Sequence, residues 1–193
     1  MTTETNLPSP ASAPRVAFQG EPGAYSEMAA ARFGLPQPYP TFARVCAALL
    51  AREVELGVLP TENAIAGPVP EVQQLLATQP LVVVTTLWLP IEHCLLGLPD
   101  ATLATATHVL SHWQALRQCR RFLARHPHLR ATTVHDTAGA ARLVRQQARP
   151  NLLAIASRQA ARHYGLQVVA AQIADRPDNA THFVLCRAAA GTP

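Results

Sequence analysis

From Arg15 to Cys186 the chain alternates short apolar runs of strand type with alanine-rich stretches of helical period, and this alternation is what most limits its possible folds. Arg15-Val16-Ala17-Phe18-Gln19 reads as a strand ending at a Gly/Pro turn, with a helix over 26–33 opened by a capping-type serine, Ser26. Further helices are expected over 41–51 and 69–77, and strands over 55–60, 81–89 and 92–98. A second series follows: strand 108–110, helix 112–125, strand 130–134, helix 137–147, strand 152–155, helix 158–163 and strand 168–171. A last strand, 182–186, comes after a polar loop. Such an order implies an α/β fold. The 81–89 run is the most apolar; it is far shorter than the about 20 residues that cross a bilayer, so it reads as a buried strand and no membrane segment is expected.

With 49% of its 193 residues apolar, the chain can bury a proper core as one compact unit or two small lobes. Residues 1–14 carry Pro, Ser, Thr and Ala but neither a basic start nor an apolar h-region, so they read as a disordered extension and not a signal peptide. A cytoplasmic protein is the expectation. Cys46, Cys94, Cys119 and Cys186 lie far apart beside apolar residues, which suits small buried thiols and argues against a disulfide framework or a zinc site. Every basic side chain is Arg, and the net charge of +4 is spread over several helices with no aromatic platform among them. That pattern argues against nucleic acid as a partner and fits a surface attracting an anionic metabolite.

Several turns could hold a ligand. In the turn from Gly20 to Ser26, two glycines let backbone amides approach an anion, although the Lys of a nucleotide-binding P-loop is missing. Ser26 there either caps the helix or contacts substrate. Ser111, His112 and Gln114 occupy a strand-to-helix turn, where free amides favour a carboxylate and Ser111 alternatively caps the helix. Glu62 and Asn63 follow the strand that ends at Pro60, on a carboxyl edge whose side chains point into a crevice; a loop N-cap is the plainer reading. Asp136-Thr137 reads first as a helix cap, and His126 and His128 are assigned no role.

Taken in order, these segments resemble the catalytic domain of prephenate dehydratases. The resemblance rests on Gly20-Glu21-Pro22-Gly23-Ala24-Tyr25-Ser26-Glu27, Pro60-Thr61-Glu62-Asn63-Ala64 and Ser111-His112-Trp113-Gln114-Ala115-Leu116, followed by Asp136-Thr137-Ala138. It continues through Ala154-Ile155-Ala156-Ser157, Tyr164-Gly165-Leu166 and Asn179-Ala180-Thr181-His182-Phe183, and spans Val16 to Arg187. It implies a domain over 15–187, with 188–193 a tail, built as two α/β lobes with a central cleft, similar to type II periplasmic binding proteins. Lobe one would hold about 15–90 plus 178–187 and lobe two about 91–177, a crossover that periodicity alone does not reveal.

The resemblance implies a lyase that converts prephenate to phenylpyruvate in L-phenylalanine biosynthesis, working without metal or organic cofactor and pairing as a homodimer. The ACT domain that often senses phenylalanine in the family is expected to be absent, since the chain stops at Pro193. Catalysis falls to Thr181, as hydrogen-bond donor or relay at the leaving oxygen, with Glu62 and Asn63. Ser26, Ser111, His112 and Gln114 would bind substrate, together with Thr137, His182 and Phe183. Four positions depart from the family's usual motifs: His182 stands for Arg, Ala64 for Ser or Thr, Pro68 for a small hydroxyl residue and Trp113 for Pro. An arogenate dehydratase and a non-catalytic ligand-binding pseudoenzyme of the same fold therefore stay open. Retention of Glu62, Asn63 and Thr181 argues against a non-aromatising decarboxylase.

Overall fold

Two sheets, built from strands of both halves of the chain, organise the protein, which a computed structural model describes over residues 13–191. Most of the extension expected over 1–14, and the end of the tail, lie outside the described residues. The first series is β1 (Arg15–Gln19), α1 (Tyr25–Ala30), β2 (Leu35–Tyr39), α2 (Phe42–Leu50), β3 (Leu56–Asn63), β4 (Gly67–Pro68), α3 (Pro70–Thr78) and β5 (Leu81–Pro90). The second opens with β6 (Cys94–Gly97), β7 (His108–Ser111), α4 (Trp113–Gln118), α5 (Arg120–Ala124) and β8 (Arg130–Thr133). It closes with α6 (Thr137–Gln147), β9 (Leu152–Ala156), α7 (Arg158–Tyr164), β10 (Gln167–Ala170) and β11 (Ala180–Ala188).

The first sheet runs β2-β1-β3-β11-β5, with β4 hung on β3, and the second runs β10-β6-β9-β7-β8. The last strand thus returns to the first sheet, as the family resemblance implied. β1 lies parallel to β2 and β3, whereas β11 lies antiparallel between β3 and β5. Alternate residues of β11 feed two separate cores: Val184 and Cys186 pack with Val45, Leu49 and Leu59, while Phe183 and Leu185 pack with Phe18 and Val58. The second sheet has its own core around Leu95, Leu96, Leu153 and Ile155. All four cysteines are buried free thiols, and burial pushes Cys119 and Cys186 up to about 12.

Several elements differ from the sequence reading, among them the short β4, which it did not include. β2 was not foreseen, because Pro36 and Pro38 argue against a strand; it survives as an edge strand, where the missing N–H groups fall on alternate residues. β5, expected to be buried, is the opposite edge, and Val82, Val83, Val84 and Trp88 are 39% to 52% exposed. The helix expected over 112–125 breaks at Cys119 (φ −113°, ψ 18°) into α4 and α5. Among the described residues no helix is long and apolar enough to cross a membrane.

The turn after β1 docks one lobe on the other. Gly20 and Gly23 have φ of +122° and +89°, a region that glycine alone adopts freely. A Cβ on Gly23 would fall 2.7 Å from Cα of Ala160 on α7, and the Ser157 hydroxyl donates to the Gly23 carbonyl at 2.6 Å. Beside it Arg142 of α6 grips Glu21 bidentately, its Nη2 donating to Oε1 at 2.9 Å. Gly23→Ala is expected to cost about 2 kcal/mol or more through backbone strain and overpacking, measured as a lowered midpoint of denaturant unfolding.

Candidate active site

A pocket of about 510 Å³ opens between the two sheets. Its first wall comes from Gln19 at the end of β1, Gly20 next to it and Tyr25 and Ser26 of α1, with Pro60 and Asn63 of β3 and Thr181 and Phe183 of β11. The facing wall comes from His112 and Gln114 at the start of α4, Gln118 at its end, and His135, Asp136 and Thr137 before α6.

Strand geometry decides who reaches this pocket. Thr181 pairs with Asn63 and His182 with Glu62, but Phe183 pairs with Pro60, so a bulge sets Thr61 and Glu62 together against His182. Asn63, Pro60, Thr181 and Phe183 therefore face the pocket, while Thr61, Glu62 and His182 lie off its wall. Glu62, expected among the catalytic residues, is exposed; the strand runs on to Asn63 instead of ending at Pro60, and neighbours on a strand face opposite ways. His182, expected to bind substrate, has Nδ1 hydrogen-bonded to Thr61 Oγ1 at 2.7 Å and packs its ring 5.0 Å from Trp88.

Other expected site residues divide in the same way. Ser111 is fully buried behind the pocket and donates to the Ile155 carbonyl at 2.6 Å, which ties β7 to β9. The cap of α4 is His112, whose Nδ1 accepts from Gln114 N. Ser26 lines the pocket but caps nothing: the N-cap of α1 is Ala24, and the Glu27 carboxylate takes the Gly23 N–H at 2.7 Å. Asp136 caps α6 by accepting from Gly139 N at 2.6 Å, and Thr137 next to it lines the pocket with His112 and Gln114. Phe183, 2% exposed, packs beneath.

The centre of the site is a buried carboxamide chain that sequence reasoning did not assemble. Asn63 Oδ1 accepts from Ile65 N (3.2 Å) and Ala66 N (2.9 Å), and its Nδ2 donates to the Ala180 carbonyl (3.1 Å). Backbone groups cannot exchange roles, so this amide can sit only one way round. Its two N–H bonds are shared among the Ala180 carbonyl, Thr181 Oγ1 (3.0 Å) and Asn179 Oδ1 (2.9 Å). Gln118 Nε2 donates to Asn63 Oδ1 (3.3 Å), and Gln118 Oε1 accepts from Asn179 Nδ2 (3.1 Å). His93 Nε2, 2.8 Å from Gln118 Oε1, must therefore carry the proton, and Nδ1 lies 3.3 Å from the Tyr25 hydroxyl. His93 and Gln118 were missed because strand alternation and helical period mark them only as polar residues in apolar segments.

Charge in the pocket is unusual for an anion site. No arginine is among the described residues that line it, while Glu71 and Asp136 are. The groups available to an anion are the amino end of α6, the Ser26 and Thr137 hydroxyls, and the imidazoles of His112 and His135. Burial holds His112 below the usual histidine range, against the pull of Asp136. Among the described residues no three His, Cys, Asp or Glu side chains are grouped to hold a metal.

The family model described as prephenate dehydratase matches residues 16–190. The chain belongs to the prephenate dehydratase family. It is 39% identical over 173 residues to the bifunctional N-acyl-homoserine lactone acylase/prephenate dehydratase of Komagataeibacter europaeus, covering 88% of this chain and 61% of that one. Similarity to arogenate dehydratase 1 of Petunia hybrida is 38% over 184 residues, covering 89% and 41% respectively. The solved prephenate dehydratase of Arthrobacter aurescens in complex with L-Phe superposes with a TM-score of 0.83 at 27% identity, over 90% of this chain and 60% of that one. The chain thus spans 41% to 61% of the length of these relatives.

Membership sharpens the meaning of the four motif departures. None of Ala64, Pro68, Trp113 and His182 lines the pocket between the sheets. Pro68 lies on β4 and His182 on β11, Ala64 opens the turn after β3, and Trp113 starts α4.

Burial also pushes His93 below the usual histidine value, its bond to Gln118 opposing the shift. An unfolded chain takes up this proton near pH 6.5 and the folded one resists it, so stability is expected to fall as pH is lowered from about 7 to 5. Denaturant midpoints across that range should show the loss, with a shallower slope in His93→Gln; equal slopes would remove His93 as a cause.

Proposed function

We propose that this domain decarboxylates and dehydrates prephenate to phenylpyruvate, with Thr181 at the departing oxygen. The observation that carries the reading is the Asn63 to Thr181 hydrogen bond. Because Thr181 Oγ accepts from Asn63 Nδ2, its own proton is left to donate elsewhere, at the wall of the pocket. In the reaction the C1 to carboxylate bond breaks, its electron pair moves through the ring, and the C4 to oxygen bond breaks with those electrons leaving on oxygen. One proton is consumed and carbon dioxide and water are released. A threonine hydroxyl is a very weak acid, so Thr181 supplies the hydrogen bond and relays a proton that solvent replaces. Asn63 orients Thr181, and Ser26, Thr137, His112 and Gln114 hold the carboxylates and ring.

Arogenate, with an ammonium in place of the ketone of prephenate, is the second reading. Glu71 and Asp136 in a pocket lined by no arginine favour it, and arogenate dehydratase 1 of Petunia hybrida is among the relatives. The pseudoenzyme reading loses its main support, since the four departures lie off the pocket.

The test is to incubate purified protein with each substrate at neutral pH and separate the products by chromatography. Thr181→Ala is expected to lower kcat by about 100-fold or more, and Thr181→Ser to keep much of it. Faster turnover of arogenate would select the second reading, and ligand binding without product the pseudoenzyme.

We further propose that two chains pair through β5. Its ten residues carry no charge, and as an uncovered edge it can add a second copy in antiparallel register, where its β-branched run faces itself. Val83→Lys should then shift the sedimentation coefficient from that of a dimer to that of a monomer; an unchanged value would remove β5 from the interface.

A further inference from the structure

A second hollow, of about 320 Å³, lies beside the pocket between the sheets and shares Gln114 and Gln118 with it. Its charge is the reverse. Arg117, Arg120, Arg121 and Arg176 line it, a quarter of the chain's 16 basic side chains, against one carboxylate, Asp175. That carboxylate is already engaged, accepting from Arg121 N at 2.9 Å and lying 3.5 Å from Arg120 Nε. Arg176 is held by Asp178, with Nε donating at 2.9 Å. Among the described residues, the guanidinium groups of Arg117 and Arg121 are left without a carboxylate partner.

The rest of the hollow is apolar. Trp113, one of the four motif departures, is 53% exposed and forms part of its wall with Ile65 and Ala66. An indole open to solvent beside two uncommitted guanidinium groups pairs a stacking face with a fork that matches a carboxylate in geometry and charge. Like charges collected here repel one another until an anion neutralises them.

We infer that this hollow binds an arylalkanoate, a carboxylate joined to an aromatic ring by a short chain, at a site separate from the pocket that holds Thr181. The ring lies against Trp113 and the carboxylate meets Arg117 and Arg121. A zwitterion binds less well, because its ammonium is repelled by the same arginines. The inference does not depend on turnover of any substrate.

The test uses the fluorescence of Trp113 in a Trp88→Phe background, where it is the remaining tryptophan. Titration with 3-phenylpropionate is expected to give a saturable change, weakened at least tenfold by Arg117→Gln with Arg121→Gln and weakened also for L-phenylalanine. These exposed arginines pack in no core, and circular dichroism of the double variant checks that it folds. Four results would overturn the inference: no saturable change, an equal response to acetate, an equal affinity for L-phenylalanine, or an unaltered affinity in the folded double variant. The last would mean that the probe binds only in the neighbouring pocket. Because the readout is binding, loss of this site and loss of the proposed catalysis remain separable.

Discussion

Antiparallel insertion of β11 between β3 and β5 is the constraint on which the site depends. It joins residues 90 to 129 positions apart, so its pairing carries a loop-closure cost that local contacts cannot repay in advance. Burial of Phe183, Val184, Leu185 and Cys186 in two cores offsets that cost, at about 1.5 to 3 kcal/mol for each large side chain. Because those residues serve opposite faces, a register slip of one would turn Phe183 and Leu185 into the wrong core and carry Thr181 out of the pocket. The same hydrophobic pattern that holds the sheet together therefore fixes the position of Thr181. Asn63 then fixes its hydrogen-bonding role.

Much of this was legible in the chain, and the failures have physical causes. α6 was read with its observed bounds because Asp136 offers a strong cap and the helical period is clean. β2 was invisible because two prolines contradict strand chemistry everywhere except at an edge, and edge position is a tertiary fact. β5 was read as buried because a run of Val, Thr and Leu is equally apolar whether a sheet or water lies next to it. Ser111 looked like a helix cap and is a strand tie, since His112 one residue later already fills the cap. The placement of Glu62 off the pocket wall has a different cause: the bulge opposite His182 depends on how two distant strands pair, and no local pattern encodes it.

The buried chain from Asn63 through Gln118 to His93 fixes how the side chains at the centre of the site are oriented. Each amide has its orientation set by the previous one, beginning from backbone groups, so no member can flip without leaving a donor facing a donor. Unsatisfied buried groups cost about 1 to 3 kcal/mol apiece, and here a single flip would create more than one. Such a network specifies geometry more than it adds net stability. It holds the Thr181 hydroxyl as an acceptor on one side, the condition for its donating on the other.

The charge distribution around this centre is divided. The pocket between the sheets relies on dipoles, hydroxyls and imidazoles and is lined by two carboxylates, whereas four arginines collect in the hollow next to it. In the proposed reaction, a guanidinium beside the departing carboxylate would hold its negative charge most strongly before carbon dioxide leaves, and so would oppose the step. Neutral donors lose less as that charge moves into the ring and onto the departing oxygen, which is where transition-state stabilisation has to be concentrated. Full charges placed outside the pocket can still draw an anion toward the cleft through solvent, with a reach set by ionic strength. A pocket wall that no arginine among the described residues lines therefore suits the proposed reaction, and His182, which lies off that wall, takes nothing from it.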